Sequence, residues 1–180
     1  IDQGFYYNQN LNVDFFTGHF IAETLNRKKI TDISSRVLKP SIKLNKDNLT
    51  IEQKFLNTKV ISSKKWVLNL RNKSLSLEYD FKNLNICETL RHSIITLNPD
   101  CFNKSNLMFA TNNGGNKLES FKVDKNKIID HAKRVSNIVS ATCCQGMTEG
   151  KFTLGDENKR IDIQIDNSQN ALIPMLQYYP

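Results

Sequence analysis

The chain has 180 residues, of which 39% are hydrophobic, so it suffices for one domain of ordinary size with its own core. Its longest apolar runs, such as Phe20-Ile21-Ala22, are far too short for a bilayer-spanning helix. The net charge of +7 permits an acidic or nucleic-acid partner, but the cations are scattered among acidic residues, which favours a solvated basic surface over a nucleic-acid footprint.

In chain order, residues 11–29 read as an amphipathic helix. Val13, Phe16, Phe20 and Leu25 supply spacings close to three and four, and Arg27-Lys28-Lys29 suits a helix C-terminus, although Gly18 weakens the pattern. Residues 30–63, with Pro40 and several Asn-Lys steps, read as a long loop with short strands. Residues 65–70 and 75–81 alternate as two strands joined by the turn Arg71-Asn72-Lys73-Ser74. Asn85 and Glu88 suggest a capping box opening a helix whose buried stripe is Ile86, Leu90, Ile94 and Leu97, and Pro99 stops it. Strands follow at 106–111 and near Phe121 and Val123, separated by the turn residues Asn112-Asn113-Gly114-Gly115. A further helix is expected over 125–139, then strands at 151–154 and 160–165 about the turn 155–158. The apolar tail 171–180 is expected to pack on the domain. The sum is a single α+β domain over 1–180: an N-terminal helix on a mainly antiparallel sheet, a sheet-containing core over about 60–180, two further short helices and a disulfide staple.

The four cysteines, Cys87, Cys101, Cys143 and Cys144, contain no C-x-x-C pair. Zinc sites favour closely spaced pairs, and adjacent Cys143 and Cys144 point opposite ways on extended chain. Two disulfides are the better reading, with three possible connectivities, and they imply an oxidising, extracytoplasmic compartment. The chain starts at Ile1 without a cleavable signal, which reads as a mature or truncated form.

No catalytic, cofactor or metal constellation emerges. His19, His92 and His131 each sit apart from carboxylate and cysteine clusters and read as surface residues. The acids Asp156, Glu157, Asp162 and Asp166 lack calcium-loop spacing, and residues 146–150 are too poor in glycine to cradle a phosphate. The basic cluster around Lys122, Lys125 and Lys127 has only Phe121 beside it, too little for a base-stacking platform. Asn48, Asn72 and Asn103 open N-x-S/T triplets that an Asn-rich chain generates by chance.

From Trp66 onward the order of short motifs resembles the globular domain of type IVb pilins. The matching pieces are Lys65-Trp66-Val67-Leu68-Asn69-Leu70, Leu75-Ser76-Leu77-Glu78-Tyr79-Asp80-Phe81, Ile86-Cys87-Glu88-Thr89-Leu90, Phe109-Ala110-Thr111-Asn112-Asn113-Gly114 and Ser140-Ala141-Thr142-Cys143. The resemblance spans roughly 100 residues and implies a bridge from Cys87 to Cys143 or Cys144 bounding an outward-facing region, worth about 4 kcal/mol on the chain-entropy model. Cys101 and the leftover neighbour would form an extra bridge. The family's long apolar N-terminal helix has no counterpart here. The expectation is a non-enzymatic structural or assembly subunit, secreted, periplasmic or on the cell surface, a fimbrial or adhesive component acting through other protein subunits or its own copies. It would bury Phe16, Phe20, Trp66, Tyr79, Leu90 and Ile94 at a helix–sheet junction. The alternative is a basic binding module of a ribonucleoprotein or other large assembly, with reduced cysteines. An enzyme would need a nucleophile beside a base, and the sequence offers none.

Overall fold

The computed structural model describes residues 2–3, 15–97, 101–103, 105–112, 116–123, 140–141, 144–146, 150–166, 168 and 175–177. The chain divides into two compact units, Ile1–Leu97 and Asn98–Pro180. All strand pairings are antiparallel, and among the described residues no helix reaches seven residues. The described residues are therefore all-β, where an α+β domain was expected.

Among its described residues, the first unit contains the strands β1 (Asp2–Gln3), β2 (Phe15–Thr24), β3 (Lys29–Thr31), β4 (Arg36–Val37), β5 (Ser41–Leu44), β6 (Asn48–Leu56), β7 (Ile61–Asn69), β8 (Ser74–Phe81) and β9 (Cys87–Ile95). β2 is central to one sheet, paired with β1, β3 and β9; β6 and β7 are central to the other, with β4 and β5 on one side and β8 on the far edge. The sheets meet through aromatic rings. Phe20 of β2 packs edge-on against Phe55 of β6 and Phe81 of β8, with ring centroids 5.9 and 5.8 Å apart. Ala22, Val60 and Ile61 complete the buried cluster, and Ile30, Tyr79, Ile86, Cys87 and Leu90 pack against it.

Both expected helices that the described residues test are strands, for one shared reason. Phe16 and Phe20 are four apart, as are Ile86, Leu90 and Ile94. A spacing of four returns to the same face of a helix, but it also returns to the same face of a strand, whose period is two. Two further features decide for strand. Gly18 has φ +89°, outside the helical region, and marks an irregularity where the β2–β9 register shifts between Thr17 and His19. Residues 89–95 carry Thr89, Ile94 and Ile95, β-branched side chains that suit a pleated surface, and β9 pairs directly with β2, Ala22 opposite Leu90. A short 3-10 turn, Leu84–Ile86, is all that stands where the second helix was expected to begin. The helix expected over 125–139 falls outside the described residues.

Of the expected core, Phe20 and Trp66 are buried, Tyr79, Leu90 and Ile94 half-buried, and the side chain of Phe16 lies outside the description. They gather at a sheet–sheet contact instead of a helix–sheet junction. Residues 30–63, read as mostly loop, contain β6, nine residues long. The hairpin of β7 and β8 about residues 70–73 stands where the alternation indicates.

The second unit contains β10 (Met108–Thr111), β11 (Glu119–Lys122), β12 (Ser140–Ala141), β13 (Cys144–Gly146), β14 (Lys151–Gly155), β15 (Arg160–Gln164) and β16 (Met175–Gln177). One sheet runs β11-β10-β14-β15 and the other β12-β13-β16. Phe109 stacks on Phe121 at 5.1 Å, with Leu107, Ala110, Val123 and Leu154 also buried. Phe121 is thus committed to its neighbour, which leaves the basic cluster after it without an exposed aromatic on that strand.

No disulfide staples the described residues. Cys87 is a half-buried free thiol on β9, where it fills space beside the core as a small apolar group, and Cys101 is an exposed free thiol. Cys143 lies outside the described residues, as does the side chain of Cys144.

Candidate docking surface

Two features of the first unit stand out, a buried charge cluster and an exposed apolar row. The cluster begins with the strand period. On β7, Lys64, Trp66 and Leu68 share the inward face, so the sheet carries an ammonium into its core, with Lys64 only 1% exposed. Opposite it stands Asp32, in the turn after β3. That turn is fixed by reciprocal bonds: Ser34 N–H donates to Thr31 Oγ1 at 3.0 Å, Thr31 N–H to Ser34 Oγ at 3.2 Å, and Ser35 Oγ–H to the Thr31 carbonyl at 2.6 Å. Asp32 then accepts bonds from Lys64 Nζ at 2.5 Å, from the Phe20 backbone N–H at 3.2 Å, and from His19 Nδ1. Burial pushes the Asp32 carboxyl up, but the bonds from His19 and Lys64 and their charges outweigh it and bring the pKa from 3.8 to about 2.

Aromatic groups close the cluster. Lys64 Nζ lies 4.6 Å from the Trp66 ring centroid and 5.9 Å from that of Tyr79. The Trp66 indole N–H donates to the Thr17 carbonyl at 3.0 Å, and Tyr79 O–H donates to the Gly18 carbonyl at 2.8 Å. Gly18 is required here twice: its φ is positive, and a Cβ would stand 2.8 Å from Tyr79 Oη. The cluster ties β2, the turn after β3, and β7 together. The side chains of His19, Asp32 and Lys64 are all nearly inaccessible.

His19, read as a surface residue, is therefore buried. His92 is also half-buried, packed 5.2 Å from Tyr79 and 5.5 Å from Phe81, and burial lowers its pKa. His131 lies outside the described residues. Neither Lys64 nor Asp32 has any local sequence signature, because their contact spans 32 positions and exists only once the sheets face each other.

The apolar row lies on the same inner face, at the other end of the larger sheet. The register places Leu44, Leu49, Leu68 and Leu75 side by side across β5, β6, β7 and β8, next to a second row of Ile42, Ile51, Trp66 and Leu77. The outer face of those strands is mostly polar: Lys43, Thr50 and Ser76 share one row with Val67, and the next includes Lys65 bound to Glu78 at 3.0 Å. Towards β2 the inner face is covered by the core. Towards the turns it is open, with Leu44 70%, Ile42 63%, Leu70 54% and Leu75 42% exposed. Monomeric proteins seldom leave neighbouring large apolar side chains so exposed without use.

The two turns at this end are joined. The Leu70 backbone N–H donates to the Asp47 carbonyl at 2.8 Å, and Asn69 Nδ2 donates to Asn48 Oδ1 at 3.0 Å. Lys46 and Asp47 lie in the first turn, Arg71 and Lys73 in the second, and Lys43 on the outer side of β5. Lys43, Lys46, Arg71 and Lys73 are all exposed, and none forms an ion pair among the described residues. The sequence held a signal for this surface: Ile42 and Leu44, then Leu49 and Ile51, alternate about the turn residues Asn45-Lys46-Asp47. Charge follows the same division. Residues 1–97 hold 15 Lys and Arg against 9 Asp and Glu, whereas residues 98–180 hold 10 against 9.

Among the described residues, no group of three or more His, Cys, Asp or Glu gathers as a metal site would require, and no helix is long and apolar enough to cross a membrane. The acids Asp156 and Glu157 instead bind Asn103, whose backbone N–H reaches Asp156 Oδ2 at 2.6 Å and whose amide reaches Glu157 Oε1 at 2.7 Å. Residues 86–90, expected to lie in a cysteine-bearing helix, instead end a 3-10 turn and enter strand β9. Comparisons with protein-family models, with curated proteins and with solved structures each return no match.

Proposed function

We propose that this chain is a non-enzymatic binding module whose first unit docks onto an anionic partner through the end of the larger sheet formed by Ile42, Leu44, Leu70 and Leu75. The observation that carries this reading is the coincidence of an exposed apolar row with turns that hold three exposed cations, Lys46, Arg71 and Lys73, and one acid, Asp47. Apolar contact supplies affinity, and the cations supply steering and orientation. Of the two readings that the sequence supports, the basic module with reduced cysteines agrees better with free thiols at Cys87 and Cys101.

The test is retention on an immobilised polyanion such as heparin, measured against salt. Wild-type protein should elute later than a variant with Lys43, Lys46, Arg71 and Lys73 all changed to Glu, and the gap should close as salt screens the charges. Fluorescence of Trp66, the one tryptophan, verifies that the variant is folded. Equal retention would place the binding charge elsewhere and end this reading.

A further inference from the structure

We infer that the partner of this surface is an anionic lipid bilayer, which the two joined turns enter with Leu44 and Leu70 while Lys46, Arg71 and Lys73 meet the headgroup phosphates. The inference rests on the anionic-partner reading above and names the partner's chemistry. Three observations favour a bilayer over a protein groove.

The first is shape. Leu44 ends β5 and Leu70 follows β7, so both stand at turns, and their exposures of 70% and 54% are those of protruding side chains. A protein partner would have to offer a shaped pocket to each protruding anchor. A bilayer accepts convex apolar tips. The second is the order of chemistry along the strands. Apolar side chains cluster at the end of the sheet, while the cations sit in the turns or on the outer side of β5, the arrangement in which leucine reaches the acyl boundary and long basic side chains remain with the phosphates. The third is rigidity. The backbone bond from Leu70 N–H to the Asp47 carbonyl fixes the two turns as one edge, so insertion requires no ordering of a flexible loop. Charge complementarity selects the lipid: the turns hold three exposed cations against one acid, which suits phosphatidylserine or another anionic headgroup and disfavours a second copy of this basic surface.

The experiment is co-sedimentation of the full chain with vesicles of phosphatidylcholine alone and of phosphatidylcholine with about a third phosphatidylserine. Binding is expected to the anionic vesicles and to fall about five-fold for each of Lys46, Arg71 and Lys73 changed to Gln. Leu44→Ser with Leu70→Ser, which leaves the charge of the surface unchanged, should lower vesicle binding at least about ten-fold. Both leucines are exposed, and Trp66 fluorescence checks the fold of each variant. Wild type that is retained by heparin but ignores anionic vesicles would overturn the lipid inference while the anionic-partner reading stands. Vesicle binding that survives the double Leu→Ser change would overturn insertion by these turns. Loss of both heparin retention and vesicle binding in wild type would overturn both.

Discussion

Changing Asp32 to Asn tests whether the buried cluster holds the two sheets of the first unit together. The carboxylate titrates at about 2 instead of 3.8, so its ionised form contributes about 2 kcal/mol to stability at neutral pH. Asparagine removes that charge and also turns one acceptor oxygen into a donor facing Lys64 or His19, which adds about 1–3 kcal/mol of unmet polar burial. The expected loss is about 3–5 kcal/mol, the range seen when one partner of a buried ion pair is removed. Urea unfolding followed by Trp66 fluorescence reads this unit locally, because the indole lies beside Lys64. With a slope of about 1.5 kcal/mol per molar urea, the midpoint should fall by about 2 M or more. The pH dependence provides a second readout. Because the folded-state pKa is depressed, the contribution is complete above about pH 4 and disappears as pH falls towards 2, so the variant should lack that part of the acid slope. A loss below about 1 kcal/mol would mean that the pair behaves like a solvated surface bridge, and the argument from burial would fail. Changing Asp32 to Asn and Lys64 to Met together should restore part of the stability, since it removes the buried charge as well as its partner.

Two further outcomes follow from the same region and from the thiols. Gly18→Ala should destabilise the first unit by about 1–3 kcal/mol in the same urea assay, because it forces a Cβ onto a positive φ and towards Tyr79 Oη; a neutral result would mean that β2 and β8 relax apart easily. With Cys143 and Cys144 changed to Ser, Cys101 should react with a thiol reagent well before Cys87, whose thiol pKa burial raises. Equal rates, or the absence of any reactive thiol, would contradict the placement of these two cysteines.

What the sequence determined by itself was short-range. The alternation in 65–70 and 75–81, with a four-residue turn between them, specifies the β7–β8 hairpin, because period-two patterning and turn chemistry act within about ten residues. The strands near 151–154 and 160–165 were legible for the same reason. Apolar residues four apart at Phe16 and Phe20, and at Ile86, Leu90 and Ile94, were ambiguous by nature, since the spacing suits both helix and strand. Tertiary structure settled that ambiguity: β2 gains its ladder from β9, a partner some seventy positions along the chain, and local propensity yields to pairing and burial. The buried cluster belongs wholly to the tertiary level. An Asp in a turn and a Lys on a strand look like solvent residues until two sheets close over them and bring them into contact. The docking surface lies between the two levels. Its leucines alternate visibly along each strand, but only the register across four strands aligns them in one row, and only the extent of the covering sheet decides which end of that row remains exposed to solvent.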